Sequence, residues 1–417
     1  MSTTTNVPLT ERKYLAPFVL ITSLFFLWAF GVNLNDVLIP HFKKAFQLTD
    51  LQSSLIQAAF FGGYFLAALP AGWLMERMGY KKGILSGLMI CATGALLFIP
   101  SANALSYQFF LFALFVMACG QSFLEVAANP YVTILGPPDS SERRLNLAQS
   151  FNSVGAVATP YIGAAFILTN TRPGAAAAEE VHNVIGPYLV IAAVFVLVAV
   201  MIGLTALPET KREVAGESGA HAKLRDALRH THLAKGVIAQ FAYVGAQVGV
   251  GSFIIRFAER MVPGLQDKDA SIYLQYHWIG FMIGRFAGSF LMKYVAASRM
   301  LSLFAGSAFV CACLAMFASG TVPVWGLVLI GFFHSIMFPT IFALGIKGLG
   351  PYTKLGSSLL VMAIIGGAVF PALMGYVSDL TNIRIAFGLP LLCYLYIWYY
   401  AAKGAQPEVI EPEAKAA

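Results

Sequence analysis

The chain has 417 residues, of which 58% are hydrophobic and 11% charged, with a net charge of +7; ordinary soluble domains carry roughly a quarter charged residues. That balance excludes a soluble enzyme. The basic residues cluster in short connections between apolar runs, which marks membrane topology rather than nucleic-acid binding. Alternating ten-residue strands, the mark of a membrane β-barrel, do not occur, so the chain reads as an all-α polytopic membrane protein.

About 20 apolar residues cross a bilayer. On that measure twelve spans follow one another: 15–40, 52–75, 83–101, 107–135, 145–169, 186–206, 235–258, 271–294, 299–318, 322–349, 354–378 and 383–402. The polar stretch MSTTTNVPLTERKY precedes the first span, which is too long for a cleavable signal and doubles as the insertion signal. The expected plan is a tail (1–14), a six-helix half (15–207), a linker (208–234), a second six-helix half (235–402) and a closing tail (403–417). Within the linker, LRDALRH suggests a short amphipathic tether helix.

With the N-terminus in the cytoplasm, seven of the 27 Lys/Arg fall outside: Lys43, Lys44, Arg172, Arg256, Arg260, Lys268 and Arg384. Arg285 lies within a span and the rest face the cytoplasm, as the positive-inside rule expects. The five cysteines all sit in apolar segments and read as small packing residues, not as a disulfide framework or a metal cluster.

The chain repeats itself. GQSFLEVAANPYVTILGP followed by RLNLAQSFNSVGAVATPYIG is echoed by GFFHSIMFPTIFALGIKGLGP followed by KLGSSLLVMAIIGGAVFPALMG. Each pair carries a mid-span proline (Pro130, Pro339), a Leu-Gly-Pro turn, a basic residue, then Gly-Ala-Val, Pro and Gly. Two halves in the same order are parallel repeats, which in transporters place the substrate between them near the midplane.

A carboxylate in hydrocarbon is costly and rarely stays there without a partner, a cavity or a proton. Asp36 and Glu125 are the two acids set well inside spans, and this points to transport. Around them lie other polar side chains whose burial also demands partners. Asn33 and Asn35 share a turn with Asp36, and the second span offers Gln57 and Tyr64. Glu125 and Asn129 stand one helical turn apart on one face, beside Pro130. Asn146, Gln149, Asn152 and Ser153 form a stripe on the fifth span, and Gln240, Tyr243 and Gln247 another on the seventh. The eighth contributes Gln275, His277, Trp278 and Arg285, the tenth His334. Amides and carboxylates bond sugar hydroxyls from both sides while aromatic faces cover C–H surfaces, so this set suits a monosaccharide better than a lipid or a peptide. The competing reading of each amide is interhelical glue. His277 and His334 read as structural or lining groups in preference to a proton relay. Arg285 either neutralises a carboxylate or pins backbone carbonyls. By rise per residue Asp36 sits about 30 Å along its helix, near the outer boundary, so it and Glu125 act at different depths.

The first inner loop reads Gly72-x-x-x-Glu76-Arg77-x-Gly79-x-Lys81-Lys82. It resembles the loop signature of the major facilitator superfamily, with Glu where Asp is usual. Gly72, Glu76, Arg77, Lys81 and Lys82 are the expected cytoplasmic gate. NLNDVLIPHF, PAGWLMERMGYKKG, CGQSFLEVAANPYVTILGP, RLNLAQSFNSVGA, AQFAYVGAQ and FPTIFALGIKGLG closely resemble the bacterial fucose–proton symporter family of that superfamily, which includes glucose/galactose and N-acetylglucosamine permeases. The resemblance covers nearly the whole chain. It implies inward sugar–proton symport through a bacterial inner membrane, with the proton as coupling ion and no other cofactor. It assigns proton coupling to Asp36 and Glu125, with Glu125 also touching sugar. It adds Gln149, Asn152, Tyr243 and Gln247 as cavity residues, beside Asn33, Asn35, Gln57, Tyr64, Asn129, Gln275 and His334. The expected partners are a monosaccharide, a proton and lipid, with no nucleic acid and a monomeric assembly. The rivals are an uncoupled sugar facilitator, a drug–proton antiporter and a non-transporting sensor.

Overall fold

The computed structural model describes residues 7–45, 50–167, 185–208, 224–262, 264–265 and 267–407; the side chains of residues 30–32, 34–45, 50–54, 160–167, 267 and 268 lie outside that description. Among the described residues the chain is helical throughout. In hydrocarbon no water can satisfy backbone N–H and C=O groups, so each crossing segment must bond internally.

The first half holds α1 (Leu15–Ala45), α2 (Asp50–Asn103), α3 (Tyr107–Ile134), α4 (Ser141–Ile167) and α5 (Ile185–Leu204). The short α6 (Leu224–Leu228) stands where the amphipathic tether was expected. The second half holds α7 (Thr231–Met261), α8 (Asp267–Leu291), α9 (Ala297–Phe317), α10 (Val322–His334), α11 (Met337–Ile346), α12 (Thr353–Met362), α13 (Gly366–Leu380), α14 (Ile383–Ala386) and α15 (Gly388–Tyr399).

Nine helical segments among the described residues are long and apolar enough to cross a membrane. The longest, Leu55–Asn103, has 49 residues, about twice what one crossing needs. It breaks at Gly79, whose φ of 81° lies outside the helical region; a glycine adopts that conformation without a Cβ clash. The loop expected between the second and third spans is therefore a one-residue turn. The polar helices α4 and α8 complete the twelve crossings. Their amides, hydroxyls and charges lower their mean hydropathy below that of the other crossings.

The packing repeats as the sequence does. α1 lies on α4, and α2 on α3 and α5; in the second half α7 lies on α13, α10 on α8 and α9, and α9 on α15. Small residues set the closeness of these contacts, as is usual between membrane helices. A Cβ on Gly120 of α3 would stand 2.5 Å from the backbone nitrogen of Cys91.

The halves meet where α4 crosses α8 and α11, and where α12 crosses α2 and α3. These contacts concentrate at the end of the bundle that carries the basic turns. There a Cβ on Gly72 would collide with Ser358 Oγ, and Lys354 Nζ donates to Met75 O at 2.8 Å. Further from that end, Phe61 of the first half fills the space a Cβ on Gly367 would need. The basic end is closed.

Candidate functional site

Glu125 is 8% exposed on α3, and its Oε2 accepts a hydrogen bond from Asn129 Nδ2 one turn later. The other end of the Asn129 amide, Oδ1, accepts from Gln149 Nε2 of α4 at 3.0 Å. Arg285 of α8 then reaches across: its Nη1 donates to the Gln149 carbonyl, to Gln149 Oε1 at 3.3 Å and to Asn152 Oδ1 at 3.4 Å. Its Nε donates to Ser335 O at 3.0 Å. Pro339, four residues on, has no N–H to offer that carbonyl, so the guanidinium satisfies an acceptor that the helix cannot. Of the two roles the sequence left open for Arg285, it pins backbone carbonyls, those of Gln149 and Ser335. One continuous polar chain thus runs from the Glu125 carboxyl in the first half to the broken tenth span in the second.

Two more bonds extend this seam along α4. Asn146 Nδ2 donates to Thr340 Oγ1 at 3.1 Å, and Lys347 Nζ meets Glu142 Oε1 at 2.7 Å. The other end of the Asn152 amide, Nδ2, donates to Phe25 O of α1 at 3.3 Å. Phe281 covers the Arg285 guanidinium at 4.5 Å from its ring centre, a favourable cation–π placement.

The remaining expected residues distribute as follows. Tyr64 is buried, bonds through Oη to Gln121 Oε1 at 3.5 Å and stands beside Phe60. Asn33 donates to Ala29 O at 2.7 Å within its own helix. Tyr243 and His334 are buried with ring centres 5.7 Å apart, Gln247 is half-buried, and Gln57 and Gln275 are exposed. Asp36 and Asn35 fall on α1, but their side chains lie outside the described residues.

At the basic end the structure brings Gly72 of the loop signature together with residues from other turns. Lys81 donates to the carbonyls of Gly203 and Thr205 in its own half at 2.8 and 2.9 Å. Arg77 stacks on Trp73 at 3.8 Å, and Lys82 is exposed. Contacts that cross between halves at this end come from Gly72, the Met75 carbonyl, Glu142, Asn146 and the Arg143 carbonyl, which accepts from Ser289 Oγ at 3.3 Å. Sequence reasoning missed Glu142, Lys347 and Lys354 because each sits at the end of a helix or in a turn, where a polar residue needs no explanation, and Thr340 because a lone hydroxyl within a span can bond its own helix. It also missed Arg144, which is fully buried: its guanidinium donates to the carbonyls of Val132, Thr133, Pro137 and Leu9 and to Ser140 Oγ. A basic pair, Arg143-Arg144, was the available signal.

Residues 21–354 match the model of the Major Facilitator Superfamily. The chain belongs to the major facilitator superfamily. Within this superfamily it is 42% identical over 408 residues to a glucose/galactose transporter of Brucella abortus, covering 96% of this chain and 98% of that protein. It is 43% identical over 409 residues to the L-fucose-proton symporter of Escherichia coli (strain K12), covering 94% and 93% respectively. A crystal structure of the major facilitator superfamily transporter FucP in the outward conformation superposes with a TM-score of 0.85 at 42% identity, covering 95% of this chain and all of that one. The twelve-helix, two-half fold of the superfamily is the fold expected from the repeat.

Proposed function

We propose that this chain is a proton-coupled symporter that imports a hexose-type monosaccharide by alternating access. The observation that carries the reading is the polar chain Glu125–Asn129–Gln149–Arg285, which joins a membrane carboxyl in one half to a cation in the other. The names of the relatives, a glucose/galactose transporter and an L-fucose-proton symporter, supply the class of cargo and the coupling ion.

The basic end takes the cytoplasmic side by the positive-inside rule, with both chain ends there, in the inner membrane of a bacterium. Closure of that end then corresponds to the outward-facing state. Glu125 takes a proton, which removes the cost of burying its charge; Asp36, nearer the outside, takes part in delivering it. Sugar hydroxyls compete for the amides of Asn129, Gln149 and Asn152 and for the Arg285 guanidinium, since each has the donors or acceptors a hydroxyl needs. Replacing the Arg285 bonds to Gln149 and Asn152 loosens the seam between the halves, so binding itself favours opening at the basic end. Residues 15–207 and 235–402 rock as units about the linker 208–234. One chain supplies both walls of the path, so a monomer suffices, with no cofactor and no covalent chemistry. A membrane potential of 100 mV contributes about 2.3 kcal/mol per proton moved inward, roughly a fiftyfold accumulation.

The test is sugar-induced alkalinisation of the medium around de-energised cells. Glu125→Gln and Asp36→Asn are expected to abolish it while binding of sugar persists in at least one of them. If both variants kept sugar-driven proton uptake, the coupling assignment would fail. A panel of glucose, galactose, fucose, mannose and N-acetylglucosamine in proteoliposomes identifies the cargo.

A further inference from the structure

Counted from the mid-span proline of each half, His334 holds the place in the second half that Glu125 holds in the first: each lies five residues before it. His334 is fully buried, as is His277 on α8. Their hydrogen bonds fix complementary faces. His277 Nδ1 lies 2.9 Å from Leu327 O; a carbonyl only accepts, so Nδ1 carries the proton and Nε2 is a bare acceptor. His334 Nε2 lies 2.7 Å from Tyr394 Oη, which has no other hydrogen bond among the described residues. The tyrosine places its single proton on Nε2, which leaves the His334 proton on Nδ1, a free donor.

These two atoms, His277 Nε2 and His334 Nδ1, are buried and bond to no protein atom among the described residues. The rings stand edge to face with centres 5.9 Å apart. One oxygen accepting from one nitrogen and donating to the other holds the two nitrogens about 4.5 to 6 Å apart, which rings at this separation allow. Tyr243 stands edge-on to His334 at 5.7 Å, and its buried Oη also has no partner. Two polar atoms of matched donor and acceptor type are therefore left unpaired on neighbouring rings in the second half, with the Tyr243 ring beside them. An unmatched buried polar atom is costly, and one bound hydroxyl relieves the cost for both nitrogens. No group of three or more His, Cys, Asp or Glu stands at metal-binding spacing among the described residues, so the chemistry is that of a hydroxyl and not of a cation.

We propose that His277 and His334 form a hydroxyl-binding site in the second half, opposite the Glu125 centre, with Tyr394 as the positioning residue that holds His334 in the donating tautomer. The hydroxyl belongs either to a resident water or to the sugar; the sugar source rests on the function proposed above, the water source does not. A resident water would hold the two histidine rings in one arrangement.

A density map of the full chain at water-resolving resolution, recorded without sugar and with D-galactose, tests it. The expected result is one oxygen within hydrogen-bonding distance of both His277 Nε2 and His334 Nδ1. Its persistence on adding D-galactose assigns it to water, and its replacement by a sugar hydroxyl assigns it to the cargo. Direct contact between the rings, or bonding of either nitrogen to a protein atom, overturns the site even if transport is sound. The positioning role is read from Tyr394→Phe, which is expected to weaken D-galactose binding about tenfold, the value of one neutral hydrogen bond, with the thermal midpoint little changed. His277→Leu should have a similar effect, and combining the two should add little. Where the map assigns the oxygen to sugar, unchanged affinity in both folded variants overturns the positioning role; where it assigns water, persistence of that oxygen in the Tyr394→Phe map overturns it. Should no sugar of the panel bind, the map alone decides, and the failure then lies with the proposed cargo.

Discussion

Glu142 at the start of α4 and Lys347 at the end of α11 join the two halves, with Oε1 and Nζ 2.7 Å apart. They form the outermost rung of a ladder on one face of α4. Asn146, Gln149 and Asn152 make the next rungs, each to a group of the second half. The ladder rises about 15 Å from the basic end to the Glu125 centre. It ties the state of the gate to the state of the site.

The outer rung sets the balance between closed and open basic ends. Lys347 is half-exposed, so screening limits the pair to about 1 kcal/mol, roughly a fivefold shift in population. Glu142→Gln and Lys347→Gln should each widen the distance between spin labels at the exposed positions Met78 and Arg299, and the exchanged pair Glu142→Lys with Lys347→Glu should restore it. An unchanged distance distribution in both single variants would remove the pair from the gate.

Arg285 serves four acceptors from two halves, and its planar fork is what allows that. Arg285→Lys keeps the charge and loses the geometry; Arg285→Gln loses both. Uptake of the cargo should fall about tenfold or more with Lys, since at least one buried acceptor loses its partner, worth about 1–3 kcal/mol, and further with Gln. Initial uptake rates in proteoliposomes, normalised to protein incorporated, measure it. Equal rates for Arg and Lys would mean that only the charge matters.

Arg144 tests stability apart from transport. Arg144→Leu leaves the last carbonyls of α3 and the Leu9 carbonyl of the preceding strap without their donor. The loss should be on the order of 3 kcal/mol, visible as a lower unfolding midpoint in detergent. Affinity for sugar in the surviving folded fraction should be unaltered, because Arg144 faces the basic end and not the site.

Gly120 tests the packing of α3 on α2. An added methyl meets the Cys91 backbone, which cannot rotate away as a flexible side chain would. Gly120→Ala should cost about 1–3 kcal/mol, and Gly120→Leu should prevent accumulation of folded protein. In contrast, Gly186→Ala, where nothing stands within 4 Å, should be neutral. Comparing yields and unfolding midpoints of the three variants separates close packing from a general intolerance of bulk.

Much of this architecture is legible in the sequence because the bilayer restricts the choices. Length and apolarity mark the crossings, and the repeated proline and Leu-Gly-Pro blocks reveal the two halves. Glu125 and Asn129 were readable as neighbours from their i, i+4 spacing, and Asn146, Gln149 and Asn152 as one face from theirs. Gly79 was legible as part of a motif but not as a one-residue turn, since its conformation depends on the packing of the helices on either side.

Across the halves the sequence is silent. Glu142 and Lys347 lie 205 positions apart, Gln149 and Arg285 136 apart, and no local periodicity links such distant side chains. The sequence by itself determined the class of the protein, because a carboxyl within a span must be neutralised, partnered or functional. Only the tertiary structure decided which residues meet across the halves at the basic end and what Arg285 holds. Hydrogen bonds are short and directional, so their partners are chosen by how two helices meet and not by what either helix contains.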